Sequence, residues 1–239
     1  VARGGNAVIL SGNTMWWQVR LEGDLLICYK SDNYWEDPMY GVDNSLVTTN
    51  FYATPVNDPE NSSIGVSWRH GGYVNNGSIL PESEGYGGYT VVNSDHWIYD
   101  GTNLQDNDIF GQESTIVGHE TDGAVLDWTT GKPVVTGTGG TPLNFTVLGY
   151  SEAINLHDPL NIGFATMGIF QGPNDGGYVF NAATVDWADG LWDLSQNIIA
   201  DVTVSQITYN IINEFSNLTF PLSIKTTVFP DNVLNTFYS

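Results

Sequence analysis

The chain has 239 residues, 27 of them Asp or Glu against 6 Lys or Arg, for a formal net charge of −21. A field of that sign repels nucleic acid and anionic membrane surfaces, so neither is expected as a partner. A hydrophobic fraction of 41%, with 8 Trp, 12 Tyr and 10 Phe, excludes a disordered chain and suffices for one large core, so residues 1–239 are read as a single domain.

The chain opens on Val1-Ala2-Arg3-Gly4-Gly5-Asn6, which reads as the tail of a helix and its glycine stop. The domain is therefore expected to lack its N-terminal part, supplied by an upstream segment of the same precursor or by a companion chain. Residues 7–10 form an apolar run followed at once by Ser11-Gly12-Asn13-Thr14, the pattern of a buried parallel strand that delivers a loop at its carboxyl end. Asn13, Trp16, Trp17 and Arg20 follow, a set suited to a platform for a sugar ring or another planar group. Paired tryptophans serve equally as core mass, and Arg20 as counter-ion to Glu22 or another buried carboxylate. The next run, 25–29, holds Cys28, the one cysteine, expected to be buried and inert.

Strands are expected over 64–68, 89–92, 124–128, 145–150, 164–170 and 178–181, with short edge strands at 48–52 and 97–99. The glycine-rich stretch 73–88 reads as a long exposed loop. His96, beside Trp97, is a candidate binding residue. Asp100, Asp106 and Asp108 gather hard oxygen ligands suited to calcium, although their spacing is not that of an EF-hand and a turn held by Asx hydrogen bonds explains them as well. His119-Glu120-Thr121-Asp122 places an imidazole and two carboxylates within four residues; in an extended segment at a strand end, Glu120 and Asp122 share a face, which suits a metal or a general base. The same cluster also suits a solvated turn. Helices are expected within 186–194 and over 201–215, the latter with Val202, Ile207, Ile211, Ile212 and Phe215 on one face.

The resulting fold class is α/β, with an open, mostly parallel sheet, strand-rich and with long loops. Four N-x-Ser/Thr acceptors, Asn61, Asn76, Asn144 and Asn217, together with the acidity and the single cysteine, point to a secreted glycoprotein. No stretch approaches the ~18 apolar residues of a membrane span. No G-x-S-x-G elbow, P-loop, dinucleotide fingerprint, H-E-x-x-H helix or cysteine-based zinc pattern occurs.

The order of motifs 3–6, 11–20, Asp58-Pro59-Glu60-Asn61, His96-Trp97 with Asp100-Gly101-Thr102, 118–123 and 181–187 resembles the carboxyl-terminal domain of the N,N-dimethylformamidase large subunit. The resemblance implies a fold like that of class I glutamine amidotransferases and an upstream half that completes it. It also implies amide C–N hydrolysis by a mononuclear iron held by tyrosines and a glutamate, the glutamate matching Glu120. One tyrosine position of that family matches Trp16, and indole does not ligate iron; another lies upstream of residue 1. The expected function is thus a secreted hydrolase-like domain acting on a small amide, with His119, Glu120 and Asp122 near the site, retained or degenerate. The alternative is a noncatalytic extracellular glycoprotein with a carbohydrate-binding or structural role.

Overall fold

A computed structural model describes residues 4–74, 87–158, 160, 162–192 and 199–216. In chain order it contains strands β1 (Ala7–Ile9), β2 (Arg20–Glu22) and β3 (Leu25–Ile27), and the short helices α1 (Lys30–Asn33) and α2 (Asn61–Ile64). Strands β4 (Ser67–Tyr73), β5 (Tyr89–Val91), β6 (Ile109–Phe110), β7 (Glu120–Gly123), β8 (Leu126–Asp127) and β9 (Val134–Val135) follow. The long strands β10 (Thr146–Ile154) and β11 (Ile162–Gln171), then β12 (Tyr178–Asn181) and helix α3 (Val202–Ser216), complete the order.

Eight strands form one sheet in the order β1-β12-β11-β7-β4-β10-β5-β6, with β10 also pairing β11. Of the described pairings only β1 with β12 is parallel; the others are antiparallel. This corrects the expected open, mostly parallel sheet. Residues 155–161 and 172–177 are too short for the crossover that a parallel neighbour requires, so β10, β11 and β12 must run back and forth. Continuous apolar runs imitate parallel strands because both faces are covered. Along each strand successive residues feed different cores: Leu148, Ile169 and Phe180 join one cluster, and Val147, Phe170 and Val179 the other.

The first cluster is closed by α3, whose Val204, Ile207 and Ile211 are fully buried. Asp201 Oδ1 caps that helix by accepting the Thr203 and Val204 amides at 2.8 and 3.1 Å. The buried Trp187 indole donates to Thr208 Oγ1 at 3.1 Å, so its polar atom is satisfied inside the core. The second expected helix is a 3-10 turn, Trp187–Gly190, and 97–99 is another 3-10 turn rather than a strand. Two ribbons stand apart from the main sheet, β2 with β3 and β8 with β9. Cys28, just past β3, is half-buried rather than buried.

Three glycines set how the centre of the sheet is packed. A Cβ on Gly71 would lie 2.1 Å from the Thr121 carbonyl oxygen, one on Gly123 2.0 Å from that of Phe164, and one on Gly163 2.2 Å from that of Gly71. Strand β7 therefore fits between β4 and β11 only because no side chain stands at these crossings. Gly123→Ala is expected to cost about 2 kcal/mol or more in urea denaturation, whereas Gly5→Ala, with open space around it, stays within about 0.5 kcal/mol of the parent.

Candidate functional site

Strand β1 leads into a loop that crosses onto β7. Gly12 is buried there, and a Cβ would meet the Glu120 carbonyl oxygen at 2.7 Å and the Val185 amide at 2.9 Å. Asn13 follows with φ +50°, a left-handed conformation that asparagine tolerates better than most side chains. The turn aims successive amides at one carboxylate: Asn13 N–H donates to Asp122 Oδ1 at 3.0 Å and Thr14 N–H to Oδ2 at 3.1 Å. The Asn13 side chain donates to Glu120 Oε2 at 3.0 Å. Glu120 and Asp122 share one face, as their spacing predicts, but they stand on a central strand and not on a loop. The backbone of β7 is held as well, with Asp122 N–H donating to the Ala183 carbonyl and Val185 N–H to that of Glu120.

Asp122 is fully buried. Burial pushes its carboxyl up to about 7; the Thr14 and Asn13 amides oppose that shift, and the nearby Glu60 and Glu120 carboxylates reinforce it. Glu60, also buried, accepts from Ser67 Oγ with one oxygen, and its pKa too is raised, chiefly by burial. Tyr73 stands directly opposite Glu120 in the β4–β7 register. Burial and the Glu120 charge raise the Tyr73 pKa, so its phenol keeps its proton at neutral pH. His119 completes this group at the rim: its ring lies 5.7 Å from that of Tyr73, and its amide donates to Asp186 Oδ2 at 2.7 Å.

Behind these polar groups stands an aromatic wall. The buried Trp16 ring lies 5.0 Å from Trp68, 5.1 Å from Tyr52 and 5.6 Å from His157, close enough for the rings to pack on one another. Arg69 sits 4.7 Å over Tyr52, and Lys30 5.5 Å over Trp17. Four buried side-chain atoms among the described residues lack a partner: Asn13 Oδ1, Thr49 Oγ1, Glu60 Oε2 and Trp68 Nε1. Asn13 belongs to the polar node and Trp68 to its wall, so unspent hydrogen-bonding capacity collects beside Glu120.

The remaining candidates lie elsewhere. Arg20 is spent on Glu22, on Asp37 through two nitrogens, and on the Leu46 carbonyl. Burial pushes Asp37 up, but Arg20 and the Met39 and Thr48 donors outweigh it and hold its carboxyl well below the usual range. His96 caps the 3-10 turn at 97–99 through Nδ1 and lines a cavity at the opposite end of β12. Asp106 accepts from Ser94 N–H and pairs with Lys132, which ties its turn to two other segments, while Asp108 accepts from Gln105 N–H and braces its own turn. Asp100 contributes its carbonyl to Asn210. Of the glycosylation acceptors, Asn61 is buried and donates to Thr141 Oγ1, Asn144 is exposed, and Asn76 and Asn217 lie outside the described residues.

The family model for the C-terminal part of N,N-dimethylformamidase beta subunit-like proteins matches residues 1–199. The chain belongs to that family. No curated protein matches it. The matched span contains the whole of this dimethylformamidase-like site, from the β1 loop through β7 to the residues after β12. The implied iron requires tyrosines beside a glutamate, and Glu120 is present with Tyr73 facing it. The Trp16 indole has no lone pair to offer a metal, so among the described residues this face brings one carboxylate and one phenol toward that set. The described residues thus fall short of that ligand set.

Neither Tyr73 nor Glu60 is among the site residues expected from the sequence, although Glu60 belongs to the motif Asp58-Pro59-Glu60-Asn61. Tyr73 falls at the start of the stretch read as a loop, and Glu60 sits in a Pro-Glu-Asn turn with no apolar pattern. Because folded Asp122 holds a proton that the unfolded chain has released, it lowers stability as pH rises from about 4 to about 7. Glu60 and Asp186 act with the same sign. The effect of Asp122 is on the order of a few kcal/mol, and Asp122→Asn is expected to flatten that part of the stability–pH profile in chemical denaturation from pH 4 to 8.

Proposed function

We propose that this dimethylformamidase-like domain hydrolyses the C–N bond of a small amide at the face shared by Asn13, Tyr73, His119 and Glu120. The observation that carries this reading is the pairing of Glu120 with Tyr73 across the β4–β7 ladder: a carboxylate held by Asn13 opposite a phenol that retains its proton. In this mechanism Glu120 accepts a proton from water as the water oxygen attacks the amide carbon. Tyr73 O–H donates to the carbonyl oxygen, where negative charge develops. Glu120 then returns its proton to the departing nitrogen, the C–N bond breaks, and a carboxylic acid and an amine leave. Asp122 positions Glu120 through the Asn13 loop, and the aromatic wall limits water around the reacting atoms.

The family description, beta subunit-like, supports a companion chain for this one. The β2–β3 ribbon offers it an apolar face, since Leu21 and Leu26 pair across the ribbon at 73% and 64% exposure. No helix among the described residues is long and apolar enough to cross a membrane. We further propose secretion, on the strength of the acidity and the exposed acceptor Asn144. The resemblance supports a noncatalytic scaffold as the second reading, since it sets the indole Trp16 at the position of a family tyrosine.

Amine release from a panel of small formamides and acetamides decides between these readings. Hydrolysis is expected, with Glu120→Gln lowering kcat/KM at least about 100-fold and Tyr73→Phe about 10-fold or more while the thermal midpoint stays near that of the parent. A folded protein with no hydrolysis across the panel, or one whose Glu120→Gln variant keeps full activity, would overturn the assignment.

A further inference from the structure

A cavity of about 370 Å³ lies at the far end of β12 from Glu120, bordered by the last described turn of α3. Its volume falls in the range of small-ligand sites. Four rings run along it in sequence. His96 lies 5.1 Å from Trp97, Trp97 lies 6.4 Å from Phe215, and Phe215 stacks on Tyr178 at 6.4 Å with an interplanar angle of 26°. Glu214 supplies a carboxylate and Gln171 an amide. Among the described residues none that lines it is Lys or Arg. Burial lowers the His96 pKa, so its imidazole adds no positive charge at neutral pH.

We propose that this cavity binds a small organic cation, an alkylated ammonium group seated against the Trp97–Phe215–Tyr178 arc with its charge toward Glu214. Three features of different origin agree in sign. Glu214 and Phe215, in the last described turn of α3, both line the cavity, which sets a carboxylate on its wall beside a ring. Ring faces attract a cation that has shed part of its water, and a quaternary ammonium sheds it readily. The net charge of −21 raises the local concentration of cations and disfavours anions. A neutral ligand of the same shape gains only the apolar contact.

The pair choline and 3,3-dimethyl-1-butanol, alike in shape and different in charge, tests this on the full chain by NMR, with the Trp97 indole signal reporting location. Choline is expected to shift Trp97 and to bind at least about tenfold more tightly than the neutral alcohol, the preference shrinking as potassium chloride is raised. Glu214→Gln, at an exposed position, is expected to weaken choline about threefold or more, and Tyr178→Leu about tenfold, with amide hydrolysis unchanged in both. Equal binding of the two ligands, choline shifts at Trp16 and Tyr73 in place of Trp97, no choline binding at all, or undiminished binding by both variants would overturn the proposal.

Discussion

The site depends on one buried carboxylate. Asp122, with no surface exposed to solvent, accepts the amides of Asn13 and Thr14, and that grip brings the loop after β1 onto β7. Once docked, the same Asn13 reaches Glu120 with its side chain, so a structural bond and a functional one leave a single residue. Two opposing effects act on Asp122: removal from water favours its neutral form, while the two amide donors favour its charged form. Neither effect is small, which places the group near neutrality and leaves the docking of the loop sensitive to its protonation.

The surrounding fold makes that arrangement affordable in space rather than in charge. Gly12 lets the loop touch the backbone of β7, and Gly71, Gly123 and Gly163 let β7 lie between β4 and β11. Ala183, held with φ +61° just past β12, accepts the Asp122 amide through its carbonyl. The polar face so created is backed by the packed rings of Trp16, Tyr52, Trp68 and His157. A family resemblance built on motifs at these same strand exits is therefore explained by contacts, although the sheet that presents them is mainly antiparallel.

Much of this was legible in the residues. The helical periodicity over 201–215 locates α3, with Ile207 and Ile211 buried as expected, but Val202 and Ile212 of the expected face are exposed and Val204 is buried instead. The run 178–181 coincides with β12. The parallel reading of residues 7–10 holds for β1, because its partner β12 runs in the same direction. Strand direction elsewhere was not legible, since antiparallel strands buried on both faces carry the same unbroken apolar signal as parallel ones. Strand β7 was hidden for a different reason. Its sequence, Glu-Thr-Asp-Gly, is polar throughout, and only the tertiary partners Asn13, Thr14 and Ala183 make a buried strand of it. Near Ile64, a helical turn closed by Gly65 at φ +87° delays the expected strand to Ser67. The Glu120–Tyr73 pairing was invisible because it depends on a register between segments 47 residues apart, interrupted by an irregularity between Ser67 and Gly72.

The most direct test is a carbon-13 NMR titration of the Asp122 carboxyl, followed together with the Asn13 and Thr14 amide protons. A carboxyl midpoint near 7, with both amide signals moving at that same midpoint, is the expected result. A midpoint near the ordinary value of about 4, or amide signals that ignore the carboxyl, would contradict the idea that Asp122 holds the loop to β7.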